Sequence, residues 1–121
     1  MKIIKDSPKV KFTGGESKRI IIKSDNMGFG ICETHIDKGG PYHWHYKNHL
    51  EACYCISGNG TIKNLDTGDI FNISKGITYL LDKNDNHEFK AITKVKLISI
   101  FNPPLAGNET HDKNGNYDSS I

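Results

Sequence analysis

No apolar stretch of this chain approaches the roughly 20 residues that a membrane-spanning helix needs. The opening residues, Met1 to Asp6, already carry three charges, which does not suit a signal peptide. Charge of one sign is also lacking: 16 Lys and Arg stand against 14 Asp and Glu, a formal +2. That balance argues against a nucleic-acid or membrane-surface partner. Cysteine is scarce and odd in number, at Cys32, Cys53 and Cys55. The last two share one face of an extended strand and are poorly placed to bridge each other, so reduced, buried core thiols are expected, with a substrate-pocket role as the alternative. Helical periodicity, internal repeats and low-complexity segments are absent as well. A soluble cytoplasmic protein is the expectation.

What is present is a series of short apolar, β-branched runs, each closed by a turn signal, at residues 19–23, 29–36, 49–56, 60–64, 69–73, 78–81, 87–92 and 96–101. That spacing predicts an all-β sandwich or barrel, and 121 residues suffice for one domain over 1–121. The punctuation includes Gly39-Gly40-Pro41 and Ser57-Gly58-Asn59-Gly60. The second of these reads as a hairpin, because Gly and Asn tolerate positive φ. Pro103-Pro104 ends the last run, and the polar tail, about 105–121, either closes over the barrel or is partly disordered.

The segment from His43 to Glu51 holds the densest chemistry. Read as one extended strand, it places His43, His45, His49 and Glu51 on one face, continued by Cys53 and Cys55. Trp44, Leu50, Ala52, Tyr54 and Ile56 fall on the other, where Trp44 and Tyr54 are candidates for a subunit interface. Three imidazoles and a carboxylate on one face suit a metal site; a polar barrel mouth or a surface histidine cluster accounts for the same pattern.

Two spacings resemble the motifs of cupins, jelly-roll β-barrels. His43-Trp44-His45 precedes Glu51, and six residues separate Glu51 from Gly58. Later, Gly68, Ser74 in place of Pro, and Gly76 lead to Tyr79, where that pattern has His. A phenol serves as a hard oxygen ligand once a nearby cation lowers its pKa, and His87 follows eight residues on. These departures resemble one branch, the ectoine synthases. The resemblance runs from about Ser17 to Tyr117 and is carried by Tyr46-Lys47-Asn48-His49-Leu50-Glu51-Ala52, Tyr54-Cys55-Ile56, Tyr79-Leu80-Leu81-Asp82-Lys83 and Phe101-Asn102-Pro103-Pro104-Leu105. Glu109-x-His111-Asp112 and Asn114-Gly115-x-Tyr117 complete it.

The resemblance implies a single cupin barrel that cyclises N-γ-acetyl-2,4-diaminobutyrate to ectoine with loss of water. It implies Fe²⁺ on Glu51, Tyr79 and His87; two oxygens and one nitrogen also admit Zn²⁺ or Mn²⁺. His43 and His45 are possible extra ligands. Tyr46, His49 and Thr34 are the implied catalytic residues, and Ser17, Thr34, Ser99, Phe101, Glu109 and His111 the implied substrate contacts. Glu109 could hold a cationic amine and His111 could hydrogen-bond the substrate or Glu109; a tail merely packed on the barrel is the alternative for Ser17, Phe101, Glu109 and His111. Two departures stand out: Gly15 replaces a Trp two residues before the Ser17 position, and Ser99 replaces a pocket Cys. They leave open a cyclase or amide hydrolase acting on a related amino-acid amide, or a cupin that only binds a small ligand. A homodimer that covers an exposed edge strand is expected.

Overall fold

The computed structural model describes residues 1–117. Its strands are β1 (Lys9–Phe12), β2 (Gly15–Ile21), β3 (Gly30–Ile36), β4 (Gly39–Trp44), β5 (Leu50–Ser57), β6 (Gly60–Asn64), β7 (Ile70–Ile73), β8 (Thr78–Leu81), β9 (His87–Ala91) and β10 (Val95–Asn102). The only helical element among the described residues is a 3-10 turn at Lys23–Asp25, so no helix is long and apolar enough to cross a membrane. All pairings are antiparallel. One sheet runs β1-β2-β3-β10-β5-β8 and the other β4-β9-β6-β7. This is the expected all-β cupin jelly roll.

Alternation explains which face of each strand is inside, because successive side chains on a strand point to opposite faces. On β10, Val95, Leu97, Ser99 and Phe101 are buried; on β9, His87, Phe89 and Ala91; on β5, Glu51, Cys53 and Cys55. All three cysteines are free and buried, as expected. The inward set mixes apolar and polar side chains. Ser17, Arg19, His49, Glu51, His87 and Ser99 are all buried.

Several expectations need correction. Residues 43–51 are not one strand. β4 ends at Trp44 in the four-stranded sheet, and β5 begins at Leu50 in the six-stranded sheet, with an irregular link between them. The face assignment holds for Glu51, Cys53 and Cys55 but is inverted on β4. Trp44 is buried, stacked on Tyr42 and His111 and edge-on to Phe12, so it is no subunit-interface candidate. Tyr54 is 45% exposed on the outer face.

The Gly58 turn is not a hairpin either. It joins β5 to β6, which belong to different sheets, and Gly58 has φ 94° where an added Cβ would lie 2.1 Å from Lys94 O. Glycine is needed there for a barrel corner, and local turn chemistry does not distinguish that use from a hairpin.

Two strands escaped the sequence reading. β1 is a short edge strand, half-buried at alternate residues. β4 contains the Gly39-Gly40-Pro41 group read as punctuation; it lies at a sheet edge, where a missing N–H is tolerated. The run at 19–23 also shifts: β2 starts at Gly15 and ends at Ile21.

Beyond β10 the tail packs on the barrel. Leu105 and Tyr117 are buried, Lys23 N–H donates to Leu105 O (2.7 Å), and His45 N–H donates to Gly115 O (2.8 Å). Residues 118–121 of the expected tail lie outside the described residues.

Candidate functional site

Strand register gathers the polar inward positions into one patch of the six-stranded sheet. Ser17 faces Thr34, Ser99 pairs with both Cys32 and Cys53, Cys53 pairs with Tyr79, and Phe101 pairs with Glu51. The loop after β4 brings Tyr46 over this patch, and the tail brings His111 and Tyr117. The result is a small, partly enclosed cavity of about 20 Å³ whose wall includes Ser17, Thr34, Tyr46, Glu51, Tyr79, Ser99, Phe101 and His111. Each of these eight was singled out in the sequence. Phe12, Ile36, Trp44, Leu97 and Tyr117 complete the wall.

His87, His49 and Glu109 stand behind the wall. His87, on β9 of the opposite sheet, borders an outer groove together with Tyr79. Its Nδ1 meets Asp85 O at 2.8 Å. A carbonyl only accepts, so Nδ1 carries the proton and Nε2 keeps its lone pair. His49 is buried edge-on to Phe101 and Tyr117, with neither ring nitrogen hydrogen-bonded. The Glu109 carboxylate accepts from the Ala106 and Gly107 N–H groups at 2.7 and 2.8 Å. His43 is exposed and bonds Asn86 Oδ1; His45 is partly buried, and neither lines the cavity.

Burial dominates the electrostatics. It pushes the Glu51 carboxyl up to about 7, partly offset by hydrogen bonds from Cys53 and Ser99. It holds the Tyr79 and Tyr46 phenols well above their usual range. Desolvation lowers His87 to about 4, and desolvation together with the Arg19 charge lowers His111 to about 3. Both imidazoles are therefore neutral at pH 7. Tyr46 Oη and His111 Nε2 are 2.7 Å apart, and Thr34 Oγ1 and Ser99 Oγ 2.9 Å.

Among the described residues, no three His, Cys, Asp or Glu side chains converge as a metal cluster. The expected ligand set differs from such clusters in using a phenol, Tyr79. Its chemistry fits a divalent cation: a buried carboxyl with no cation to lower its pKa, a buried phenol, and an imidazole whose tautomer leaves Nε2 free to ligate.

Sequence reasoning missed Arg19. Its guanidinium is fully buried, donating from Nη2 to Glu109 O at 2.6 Å, with Nη1 3.6 Å from Glu109 Oε1 and its carbon 5.5 Å from the centre of the Tyr117 ring. The signal was available: Arg19 sits at an inward position of a strand, two residues from Ser17. Cys53, read as a core thiol with a pocket role as the alternative, has its thiol 3.7 Å from Ser99 Oγ. A thiol therefore reaches position 99 from the neighbouring strand.

Comparison with known proteins agrees with the fold and identifies the family. The family model described as Ectoine synthase matches residues 1–120. An L-ectoine synthase from Marinomonas sp. (strain MWYL1) is 45% identical over 103 residues, covering 85% of this chain and 80% of its own. One from Alkalilimnicola ehrlichii is 43% identical over 116 residues, covering 95% and 88%. The crystal structure of ectoine synthase from P. lautus superposes with a TM-score of 0.80 at 33% identity, covering 88% of this chain and 81% of that one. A protein from Planctomyces limnophilus (TM-score 0.71, 19% identity, covering 87% and 90%) shares the fold alone. The chain belongs to the ectoine synthase family.

Proposed function

We propose that this chain closes the ring of N-γ-acetyl-2,4-diaminobutyrate, its α-amine attacking its own acetamide carbonyl and water leaving to give the cyclic amidine ectoine. The observation that carries this reading is the single cavity lined by Ser17, Thr34, Tyr46, Glu51, Tyr79, Ser99, Phe101 and His111. Family membership supports the same reading.

Glu51, Tyr79 and His87 would hold the cation, with Fe²⁺ favoured by resemblance and Zn²⁺ or Mn²⁺ chemically admissible. Bound there, it supplies a Lewis acid for the amide oxygen, which a weakly electrophilic amide needs. The remaining work falls to side chains. Ser17, Thr34 and Ser99 offer hydroxyls to orient the folded substrate, so that the amine meets the carbonyl carbon in near-attack geometry. The attacking ammonium must first lose a proton. By resemblance His49 is the base: burial lowers its pKa, both ring nitrogens are open, and it would act from behind the Phe101 and Tyr117 rings. Tyr46, kept protonated by burial and bonded to neutral His111, can donate toward the departing oxygen. The Tyr46, His111 and Tyr117 rings line the cavity and would limit the access of bulk water to a reaction that eliminates water.

The decisive test incubates Fe²⁺-loaded protein anaerobically with N-γ-acetyl-2,4-diaminobutyrate and follows the cyclic product by NMR. Ectoine is expected as the product. If none forms, and related diamino-acid amides are cyclised or hydrolysed instead, the substrate assignment falls while the site stands.

A reduced cytoplasmic setting suits three free thiols. A homodimer is the favoured assembly, because the sheet-edge strands β7 and β8 carry exposed Ile70, Phe71 and Leu80. Light scattering of the purified protein should give twice the mass of 13.5 kDa; a monomer at micromolar concentration would dismiss that assembly.

A further inference from the structure

Gly15, at the start of β2, lies directly across from Phe12. Position 15 begins β2 in phase with Ser17 and Arg19, the buried inward residues of that strand. An added Cβ there would lie 2.0 Å from His35 O and 3.1 Å from Phe12 Cζ. No side chain fits at 15 without moving β3, and the adjoining space is taken by the Phe12 ring. Phe12 is the cross-strand partner of Gly15, at the end of the β1–β2 hairpin. Its ring is edge-on to Trp44 at 5.6 Å and to His111 at 4.9 Å, and it lines the cavity with them.

These three side chains face two spaces. Inside is the cavity of about 20 Å³, room for roughly one water. Outside is an open hollow of about 700 Å³ bordered also by Lys11, Tyr42 and Lys113. The wall is therefore one ring thick at Phe12. Phe12 and its neighbour Ile36 bring no polar atom to the cavity, so charged substrate groups gain nothing against them. The acyl carbon chain is the substrate's apolar end and is the part such a wall accepts.

We propose that Phe12 is a specificity-determining residue, the ring that limits the size of the acyl group this chain accepts. The proposal rests on the cyclisation reading above. Removing the ring opens the acyl end of the cavity into the hollow.

The test compares the full-length wild-type chain with Phe12→Ala and the milder Phe12→Leu, each metal-loaded, on the N-γ-acetyl, propionyl and butyryl derivatives of 2,4-diaminobutyrate. Relative to wild type, Phe12→Ala should raise the kcat/KM ratio of butyryl over acetyl at least tenfold, with Phe12→Leu in between. Calorimetric binding of the same three amides gives the same ranking without turnover. Should Phe12→Ala fail to fold, Phe12→Leu alone still reports the ratio. Ratios within twofold of wild type in both assays would overturn the proposal, leaving Phe12 as barrel packing. Wild-type protein that turns over none of the three amides would instead defeat the cyclisation reading. The binding ranking then still decides the role of Phe12.

Discussion

Glu51→Gln is expected to cut turnover severely while making the metal-free protein more stable above pH 7. The two effects share one cause. Glu51 is a carboxyl taken out of water, and burial raises its folded-state pKa to about 7 from the usual 4.5. The folded state thus holds this proton more tightly than the unfolded chain does. Its contribution to stability is fully present below about pH 4.5 and is lost as pH rises through 7, a loss of about 3 kcal/mol at ~1.4 kcal/mol per pH unit. Glutamine has no proton to lose and stays neutral throughout.

His87 works in the opposite sense. Its folded pKa is lowered to about 4, so its contribution is present above about 6.5 and lost as pH falls through 4. The two oppose each other between pH 4.5 and 6.5, and only the difference between wild type and Glu51→Gln isolates the carboxyl. Urea unfolding of both metal-free proteins at pH 5 and pH 8 reads that difference, which should shift by about 2–3 kcal/mol in favour of the variant at the higher pH. A bound cation must displace the same proton, so wild-type metal affinity should fall as pH drops below 7. The variant keeps one carbonyl oxygen in place of a carboxylate, and its turnover should drop by roughly 10²–10³-fold or more. A variant with wild-type activity, or one whose stability tracks wild type from pH 5 to 8, would remove Glu51 from the centre of the site.

The fold was legible where alternation alone decides the outcome. Residues 60–64 and 78–81 coincide with β6 and β8, and Glu51, Cys53 and Cys55 point inward as their spacing requires. What the period cannot encode is which sheet a strand joins. The histidines at 43, 45 and 49 look continuous with Glu51, yet the chain leaves one sheet at Trp44 and enters the other at Leu50. That change puts His43 outside and Trp44 inside. Gly58 fails for the same reason, since a corner and a hairpin need the same backbone freedom. Most pocket residues were reached through resemblance rather than pattern, because Ser17, Thr34 and Ser99 are ordinary strand hydroxyls until register brings them together. For Arg19 the strand phase with Ser17 marked an inward position, but its partners, Glu109 and Tyr117, come from a tail some ninety residues away that no local pattern links to it.

Arg19→Met should cost about 3–5 kcal/mol of stability, the usual penalty for breaking a buried ion pair by removing one partner. The guanidinium is fully enclosed, and its Nη2 bond to Glu109 O fastens the tail to β2. Methionine fills comparable volume, so the loss would reflect charge and hydrogen bonding rather than a cavity. Much of the original site is already imperfect: Nε finds no partner, and the closest Nη1 contact to the carboxylate is 3.6 Å. This places the expected value at the lower end of the range. The more specific consequence is local. His111 and Tyr117, which line the cavity, lie on the tail that Arg19 anchors, so amide exchange over residues 106–117 should accelerate far more than exchange in β5 or β10. KM should rise more than kcat falls, because a loosened tail weakens substrate enclosure before it disturbs the Glu51 and Tyr79 end. Glu109→Gln, which keeps the Glu109 carbonyl acceptor, should cost less, and the double variant should show coupling between the two positions. Stability within 1 kcal/mol of wild type, with unchanged exchange in the tail, would mean that the apolar anchors Leu105 and Tyr117 hold the segment by themselves.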